Sequence, residues 1–193
     1  MSTTLPLFPL NTVVFPGGRL PLRIFEQRYL DMVKQAIADN TPFGICAIRE
    51  GDEVGTPAVP YSVGTRVQIT EWDMPQIGIL HIDTQAQERF VIRTTHTEPN
   101  GLLIGTVEPV SAEPAPAVPD ELELAVEELR HIIHEYGDAH FPAPHAFDNA
   151  AWVGYRLSEV LPLKLSIKQN LLEMNDSVTR LRILAEFIKK QIN

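Results

Sequence analysis

The sequence contains a single cysteine, Cys46, among its 193 residues. One thiol cannot form a disulfide within the chain, so a reducing compartment is the simplest setting and we expect a cytoplasmic location. Cys46 lies in the apolar stretch FGICAI. That context favours a small buried hydrophobic residue over a nucleophile.

Long apolar runs are also missing. No segment approaches the ~20 apolar residues that span a bilayer. The N-terminus shows no basic region ahead of a hydrophobic segment, as a secretory signal peptide would. We therefore expect no membrane partner.

The motifs of several enzyme classes are absent as well. Glycine never precedes lysine, so the ending of a phosphate-binding P-loop is missing. Adjacent carboxylates such as Glu127 and Glu128 do not converge if they lie on a helix. We expect no catalytic residue, no cofactor and no metal as an essential part of the protein.

Negative charge is concentrated in one part of the chain. The formal net charge is −9, and residues 111–150 hold nine acidic residues against one basic residue, Arg130. Such local acidity disfavours contact with a phosphate backbone. The remaining sequence is nearly neutral, which suits protein partners, so nucleic acid is not expected to be one.

The first 110 residues read as mostly β-structure. Pro6 and Pro9 mark Leu5–Phe15 as an edge strand or extended arm. Residues 16–18, Pro-Gly-Gly, are predicted to form a turn, since proline presets φ and glycine accepts positive φ. Asn100-Gly101 is a hairpin signal. A second turn is predicted at residues 74–76. The further predicted strands are 43–48, 63–72, 77–84, 90–97 and 102–110, which together indicate an antiparallel meander or small barrel.

Helical periodicity begins at Ile24. Phe25, Tyr29 and Met32 fall on one predicted face, Arg28 falls elsewhere, and Asn40 is a plausible helix stop.

The C-terminal part reads as four helices after a proline-rich linker, residues 111–119. Asp120 and Ser166 each resemble the start of a capping box, with an acidic or amide residue three positions later. Gly137 and Pro162 are predicted to end two of the helices. Asp148 or Asn149, and Asp176 or Ser177, are predicted to cap two more, and the short loops favour a small bundle.

Several of these segments together carry a family resemblance. The series LPLFPL, VVFPG and LPLRIFEQRYLDMV resembles the opening of the N-terminal domain of ATP-dependent Lon proteases, which also occurs as a free-standing protein. VGTRVQITEW, QERFVIR and RLSEVLPLKLSIKQNLLEMNDSVTRL resemble later parts of that domain. One departure is local: residues 85–88 lack the glycine that the family usually has before its Arg-Phe pair.

The resemblance implies an α+β fold. It would comprise an N-terminal antiparallel β pseudo-barrel of the PUA-like type with one early helix, followed by a C-terminal helical bundle. The implied domains are a β-rich part at 1–110, the linker at 111–119 and a helical part at 120–193.

The resemblance also implies a non-catalytic protein-binding module similar to the Lon substrate-recognition domain. Its partners would be protein clients or unfolded polypeptide, with a Lon-type protease as a further candidate, and its role that of an adaptor or regulator. Full-length Lon has an ATPase and a Ser–Lys protease module. Ser166 and Lys168 are close in sequence, but Ser166 reads as a helix cap, so we expect no proteolysis by this chain.

The candidate contact surface lies within residues 16–29. Exposed apolar side chains rimmed by charge would take an apolar segment of a client. Most of these residues are equally suited to a core, and Arg28 could instead pair with Glu26 or a strand carboxylate. The candidate residues are Pro16, Gly17, Pro21, Leu22, Phe25, Arg28 and Tyr29.

Two other functions remain open. One is a metal-dependent or small-molecule enzyme with its site between barrel and helices. Its metal could bind in a shallow site formed by Glu127, Glu135 or Asp138 with four histidines, His131, His134, His140 and His145. Their spacing does not match the HExxH motif of zincins. A solvated acidic helix face is the simpler interpretation. RNA binding through the PUA-like part is the weaker alternative.

Overall fold

The computed structural model describes residues 2–137 and 140–192. It divides into two compact units, Met1–Ser111 and Ala112–Asn193. The first unit contains β1 (Thr3–Leu10), β2 (Arg19–Ile24), α1 (Gln27–Asp39), β3 (Phe43–Glu50), β4 (Val59–Gln76), β5 (Ile79–Thr97) and β6 (Leu103–Pro109). The second contains a short 3₁₀ turn (Asp120–Leu122), α2 (Glu123–Tyr136), α3 (Ala150–Val160), α4 (Leu165–Glu173) and α5 (Ser177–Ile192).

The six strands form one mixed sheet in the order β2-β5-β4-β3-β1-β6. A further pairing of β5 with β6 closes five of these strands into a ring and leaves β2 outside it. The prediction of a purely antiparallel barrel is wrong in one respect, because β1 and β3 run parallel. The helix α1 lies between these two strands in sequence and provides the crossover that a parallel pair requires.

The strand β1 is not an edge strand, contrary to the prediction. Its first half, Thr3 to Leu7, pairs with β6, and its second half, Leu7 to Leu10, pairs with β3. Pro6 is therefore paired with β6 alone, and Pro9 with β3 alone. A proline can be accommodated there, since its missing N–H need not face the paired strand.

The strand β2 was not predicted from the sequence. Residues 19–24 read RLPLRI and follow the predicted turn at 16–18, and Pro21 weakens the strand pattern of this segment. In the fold Pro21 pairs with Asp83 in an outer strand, a position in which proline is tolerated. The helix consequently begins three residues later than predicted, at Gln27. Its predicted end at Asn40 is confirmed, and Asn40 adopts the left-handed conformation there.

The hairpin of β4 and β5 is longer than predicted. The predicted turn at residues 74–76 is wrong, because β4 continues to Gln76 and the reversal occurs at Ile77-Gly78, with Gly78 at a φ of 86°. The predicted strands 77–84 and 90–97 form one continuous strand, β5. Irregular register between β4 and β5 lets both strands bend without a break.

Two apolar clusters stabilise the first unit. One packs α1 against β1, β2 and the neighbouring strands, and includes Phe8, Ile24, Tyr29 and Val33. The other contains Leu5, Leu7, Cys46, Phe90, Leu103 and Val107, from strands of the ring. Cys46 is buried as predicted, and burial raises the pKa of its thiol.

In the second unit α3 packs against α2, α4 and α5. The prediction of Asn149 as a helix cap is confirmed, since its side chain accepts hydrogen bonds from the N–H groups of Ala151 and Trp152. Asp176 accepts in the same way from Thr179 at the start of α5. The capping boxes at Asp120 and Ser166 are wrong: Asp120 lies in the 3₁₀ turn, and Ser166 lies inside α4.

Residues 112–119 make contacts within the second unit. Glu113 accepts from the guanidinium of Arg180 at 3.0 Å, and Ser177 donates to the carbonyl of Pro114. Ala117 forms an isolated bridge with Asn149. The predicted division into 1–110, 111–119 and 120–193 stays a prediction. None of the helices in the described ranges is long and apolar enough to cross a membrane.

Candidate functional site

An apolar cleft opens in the first unit between β2, the start of α1 and the loop that follows β3. Its volume is about 140 Å³. We call it the β2–α1 cleft. Its apolar lining consists of Phe8, Leu10, Leu22, Ile24, Phe25, Tyr29 and Val54, and its charged lining of Arg23, Glu26 and Glu53.

Phe25 and Val54 give the cleft its exposed apolar surface. Phe25 follows the last residue of β2 and precedes the first turn of α1, so neither element covers its ring, which is 59% exposed. Val54 is 58% exposed in the loop after β3. Large apolar side chains exposed together and rimmed by charge are typical of a protein-contact surface.

The buried side of the cleft is formed by stacked aromatic side chains of the core. The rings of Phe8 and Tyr29 stack with centroids 3.9 Å apart, and both residues belong to the main core. Burial raises the pKa of the Tyr29 phenol, an effect that the nearby Arg28 guanidinium opposes. Tyr29 therefore contributes a neutral aromatic surface.

The structure brings three of the predicted site residues together. Leu22, Phe25 and Tyr29 all line the β2–α1 cleft. Pro21 is exposed on the other face of β2. Pro16 and Gly17 form the predicted turn, where the Gly17 N–H donates to the carbonyl of Ala86, and they do not line the cleft.

Arg28 points into the protein. Its side chain is 5% exposed, forms an ion pair with Glu26 at 2.6 Å and donates to the Gly101 carbonyl at 3.0 Å. Its guanidinium also lies 4.7 Å from the centre of the Tyr29 ring. These contacts favour the structural alternative for Arg28, which joins the start of α1 to the hairpin between β5 and β6.

Among the apolar lining of the cleft, sequence reasoning missed Phe8, Leu10, Ile24 and Val54. Phe8 and Leu10 carry no signal of their own, because a strand residue beside a cleft has the same composition as one in a core. Val54 could have been found, since it is an apolar residue in a loop between Gly51 and Gly55.

A second concave surface, with a volume of about 390 Å³, is formed by β2, β5 and β4, and it shares Leu22 and Arg23 of β2 with the β2–α1 cleft. We call it the acidic strand face. Two rows of paired residues cross it: Pro21, Asp83 and Glu71 form one, and Arg23, His81 and Asp73 form the other. All six side chains are exposed. Three carboxylates against one guanidinium make this face negative when His81 is neutral.

The four histidines of the second unit do not converge. His131 lies 3.5 Å from Glu135 on the exposed side of α2, while His140 and His145 contact the backbone carbonyls of Tyr136 and Phe141. Among the residues that the structure describes, no group of three or more His, Cys, Asp or Glu side chains is placed to hold a metal ion. Asp138, one of the predicted partners, lies outside the described residues.

The second unit also contains a cluster of partly buried charges. Arg156 forms an ion pair with Glu159 at 2.8 Å, and Lys168 donates to the Glu159 backbone carbonyl. Burial raises the pKa of the Glu159 carboxyl to about 7, and the guanidinium of Arg156 opposes that rise. None of these three residues lines either concave surface described above.

Solved structures define the class of fold. The Lon N-terminal domain protein from Xanthomonas campestris superimposes with a TM-score of 0.79 at 34% identity, over 94% of this chain and 96% of that one. The N-terminal domain of the Mycobacterium avium complex Lon protease gives a TM-score of 0.64 at 18% identity, over 95% and 97%. The fold, a six-stranded mixed sheet with helices, is therefore that of Lon N-terminal domains.

The chain belongs to the family of ATP-dependent protease La (Lon) substrate-binding domains, whose family model matches residues 4–190. The family resemblance seen in the sequence is thus confirmed. The chain is 36% identical over 73 residues to the Lon protease of Anaeromyxobacter dehalogenans, and 36% identical over 69 residues to Lon protease 2 of Myxococcus xanthus. Those stretches cover 37% and 35% of this chain but 9% and 8% of the relatives' lengths.

Proposed function

We propose that this chain is a non-catalytic substrate-recognition module that binds exposed apolar segments of unfolded or partly unfolded protein clients. The β2–α1 cleft is the binding site, and the protein acts as an adaptor or regulator in the cytoplasm, with a Lon-type protease as a candidate partner. The observation that carries the proposal is the exposure of Phe25 and Val54 beside the buried, stacked rings of Phe8 and Tyr29 in a Lon substrate-binding domain.

The size of the cleft suits side chains better than a cofactor. A volume of about 140 Å³ accommodates one or two apolar side chains, and pockets for small ligands are usually larger, about 300–1,000 Å³. The charged residues Glu26 and Glu53 lie around the apolar lining, as in the polar rim of a protein interface.

The closed ring of five strands supports the finer description of the first unit as a PUA-like pseudo-barrel. That fold-level likeness does not by itself assign RNA as a ligand. The negative acidic strand face disfavours a nucleic-acid partner at that surface.

The experiment compares binding of an unfolded model protein, reduced and carboxymethylated, by the wild-type chain and by Phe25→Ala. Phe25 is 59% exposed, so its truncation leaves the core intact, and we expect affinity to fall about tenfold as an exposed aromatic anchor is lost. Binding is measured by fluorescence anisotropy of the labelled client.

The matched control is Tyr136→Ala, which removes an aromatic side chain of similar exposure, 58%, from α2. It should bind the unfolded client like the wild type. Equal affinity of Phe25→Ala and the wild type, or no binding of unfolded over native client by the wild type, would remove the proposal.

A further inference from the structure

The strand β2 is the outer strand of the sheet. All six of its residues pair with β5, and no strand in the described part of the chain pairs with its other edge. An outer strand presents backbone N–H and C=O groups that an extended peptide can pair with.

The orientation of the β2 backbone can be read from one hydrogen bond. The Thr84 hydroxyl on β5 donates to the Leu20 carbonyl at 2.8 Å, so this carbonyl faces β5. Successive carbonyls alternate in direction along a strand, so those of Pro21 and Arg23 face the outer edge, together with the Arg23 N–H. Pro21 has no N–H, and its place on this edge therefore costs no bond to β5.

The two faces of β2 differ in chemistry. Leu22 lines the apolar β2–α1 cleft. Pro21 and Arg23 lie on the acidic strand face, beside the Asp83 and His81 of β5. Side chains of a strand alternate between the two faces of its sheet. A strand added at the outer edge of β2 would thus place every second side chain beside the cleft and the others beside Pro21 and Arg23, on the face where β5 and β4 carry the carboxylates.

We infer that β2 accepts an extended segment of a client protein in which apolar residues alternate with lysine or arginine. This inference rests on the proposed function and deepens it by naming the client sequence. The apolar side chains contact the β2–α1 cleft, and the backbone pairs with Pro21 and Arg23. A basic side chain opposite Pro21 extends across this small residue towards Asp83, the residue paired with Pro21 on β5. Charge complementarity with the acidic strand face is what selects basic over acidic clients.

The first test uses three labelled peptides of equal length: alternating leucine and lysine, the same composition in two blocks, and alternating leucine and glutamate. The alternating leucine–lysine peptide should bind the wild-type chain about tenfold more tightly than either other peptide. Its advantage over the glutamate peptide should shrink in the double variant Asp83→Asn, Glu71→Gln. The control, Glu123→Gln with Glu127→Gln on the exposed side of α2, should retain it.

The second test concerns the backbone. The leucine–lysine peptide is N-methylated at every second residue, in two versions that differ by a shift of one residue. One version loses the N–H groups that face β2 and should bind about tenfold more weakly, whereas the other should bind like the parent peptide. In the protein, Arg23→Pro removes the outward N–H and should weaken binding, while Arg23→Ala removes the charge and should not.

The peptide results separate the inference from the proposed function. Equal binding of both N-methylated peptides, or of the alternating and block peptides, overturns strand addition even if unfolded clients still bind through Phe25. Equal affinity for the lysine and glutamate peptides overturns the charge preference. Loss of all client binding removes the proposed function together with this inference.

Discussion

Phe25 and Arg28 lie three positions apart and have opposite environments. The apolar Phe25 is exposed, whereas the charged Arg28 is buried. Phe25 precedes α1, so the helical periodicity that placed it on the apolar face does not apply to it. Arg28 lies in the first turn of the helix, where its guanidinium reaches Glu26, Tyr29 and the carbonyl of Gly101.

Replacement of Arg28 by methionine tests its structural role. Met fills a similar volume but leaves the half-buried Glu26 and the Gly101 carbonyl without their donor, so we expect the free energy of unfolding to fall by about 2–4 kcal/mol. Urea denaturation monitored by circular dichroism measures the change. Arg49→Met serves as the control, because Arg49 pairs with Glu50 at the surface, and such pairs contribute at most about 1 kcal/mol. A variant as stable as the wild type would leave Arg28 available as a contact residue.

At the scale of elements, glycines in two neighbouring strands make room for a large aromatic side chain inside the closed ring of strands. Phe90 of β5 is fully buried beside Gly64 of β4 and Gly44 of β3. A Cβ atom at Gly64 would lie 2.6 Å from the Ile45 carbonyl oxygen and 2.7 Å from the Phe90 ring. Both distances are shorter than real contacts, and the first involves backbone that cannot move alone.

Gly64→Ala should therefore destabilise the first unit. Overpacking of this kind costs about 1–3 kcal/mol, and the backbone contact places the expected loss at the upper end. The control is Ser62→Ala, two residues earlier in β4, where the side chain is exposed and the expected change is within about 0.5 kcal/mol. Equal denaturation midpoints for the two variants would show that β3 and β4 can move apart at little cost.

At the scale of the whole molecule, the second unit is joined by a contact between residues that are 67 positions apart. Arg180 of α5 has a fully buried side chain that donates to both carboxylate oxygens of Glu113. It also donates to the Leu171 carbonyl and lies over the Tyr155 ring. The segment before α2 is thereby held against the helices that follow it.

Glu113→Ala should destabilise the second unit by about 3–5 kcal/mol, because it leaves the buried guanidinium without its counter-charge. In a Trp72→Phe background, the remaining tryptophan, Trp152, reports on the second unit during urea denaturation. Glu121→Ala breaks the exposed pair with Arg182 and should change stability by less than about 1 kcal/mol. Similar midpoints for the Glu113 and Glu121 variants would contradict a structural role for the buried pair.

The sequence by itself determined the family, the balance of strands and helices, and the local signals that depend on a single residue's backbone preference. Asn40 ends α1 and Asn149 caps α3 as predicted, because the left-handed backbone conformation and the cap hydrogen bonds depend on neighbouring residues alone. The burial of Cys46 was predicted because a continuous apolar run bounded by turn signals is typical of an inner strand.

Tertiary structure decided what lies on either side of each element. Residues distant in sequence decide that β1 pairs with two strands and that residues 19–24 form an outer strand. They also decide that Phe25 is exposed. Burial of an apolar side chain depends on whether another element covers it, and no periodicity within one segment contains that information. The sequence could indicate the segment of the cleft that contains Leu22, Phe25 and Tyr29. Phe8, Leu10 and Val54 line it only because the fold brings them beside Phe25.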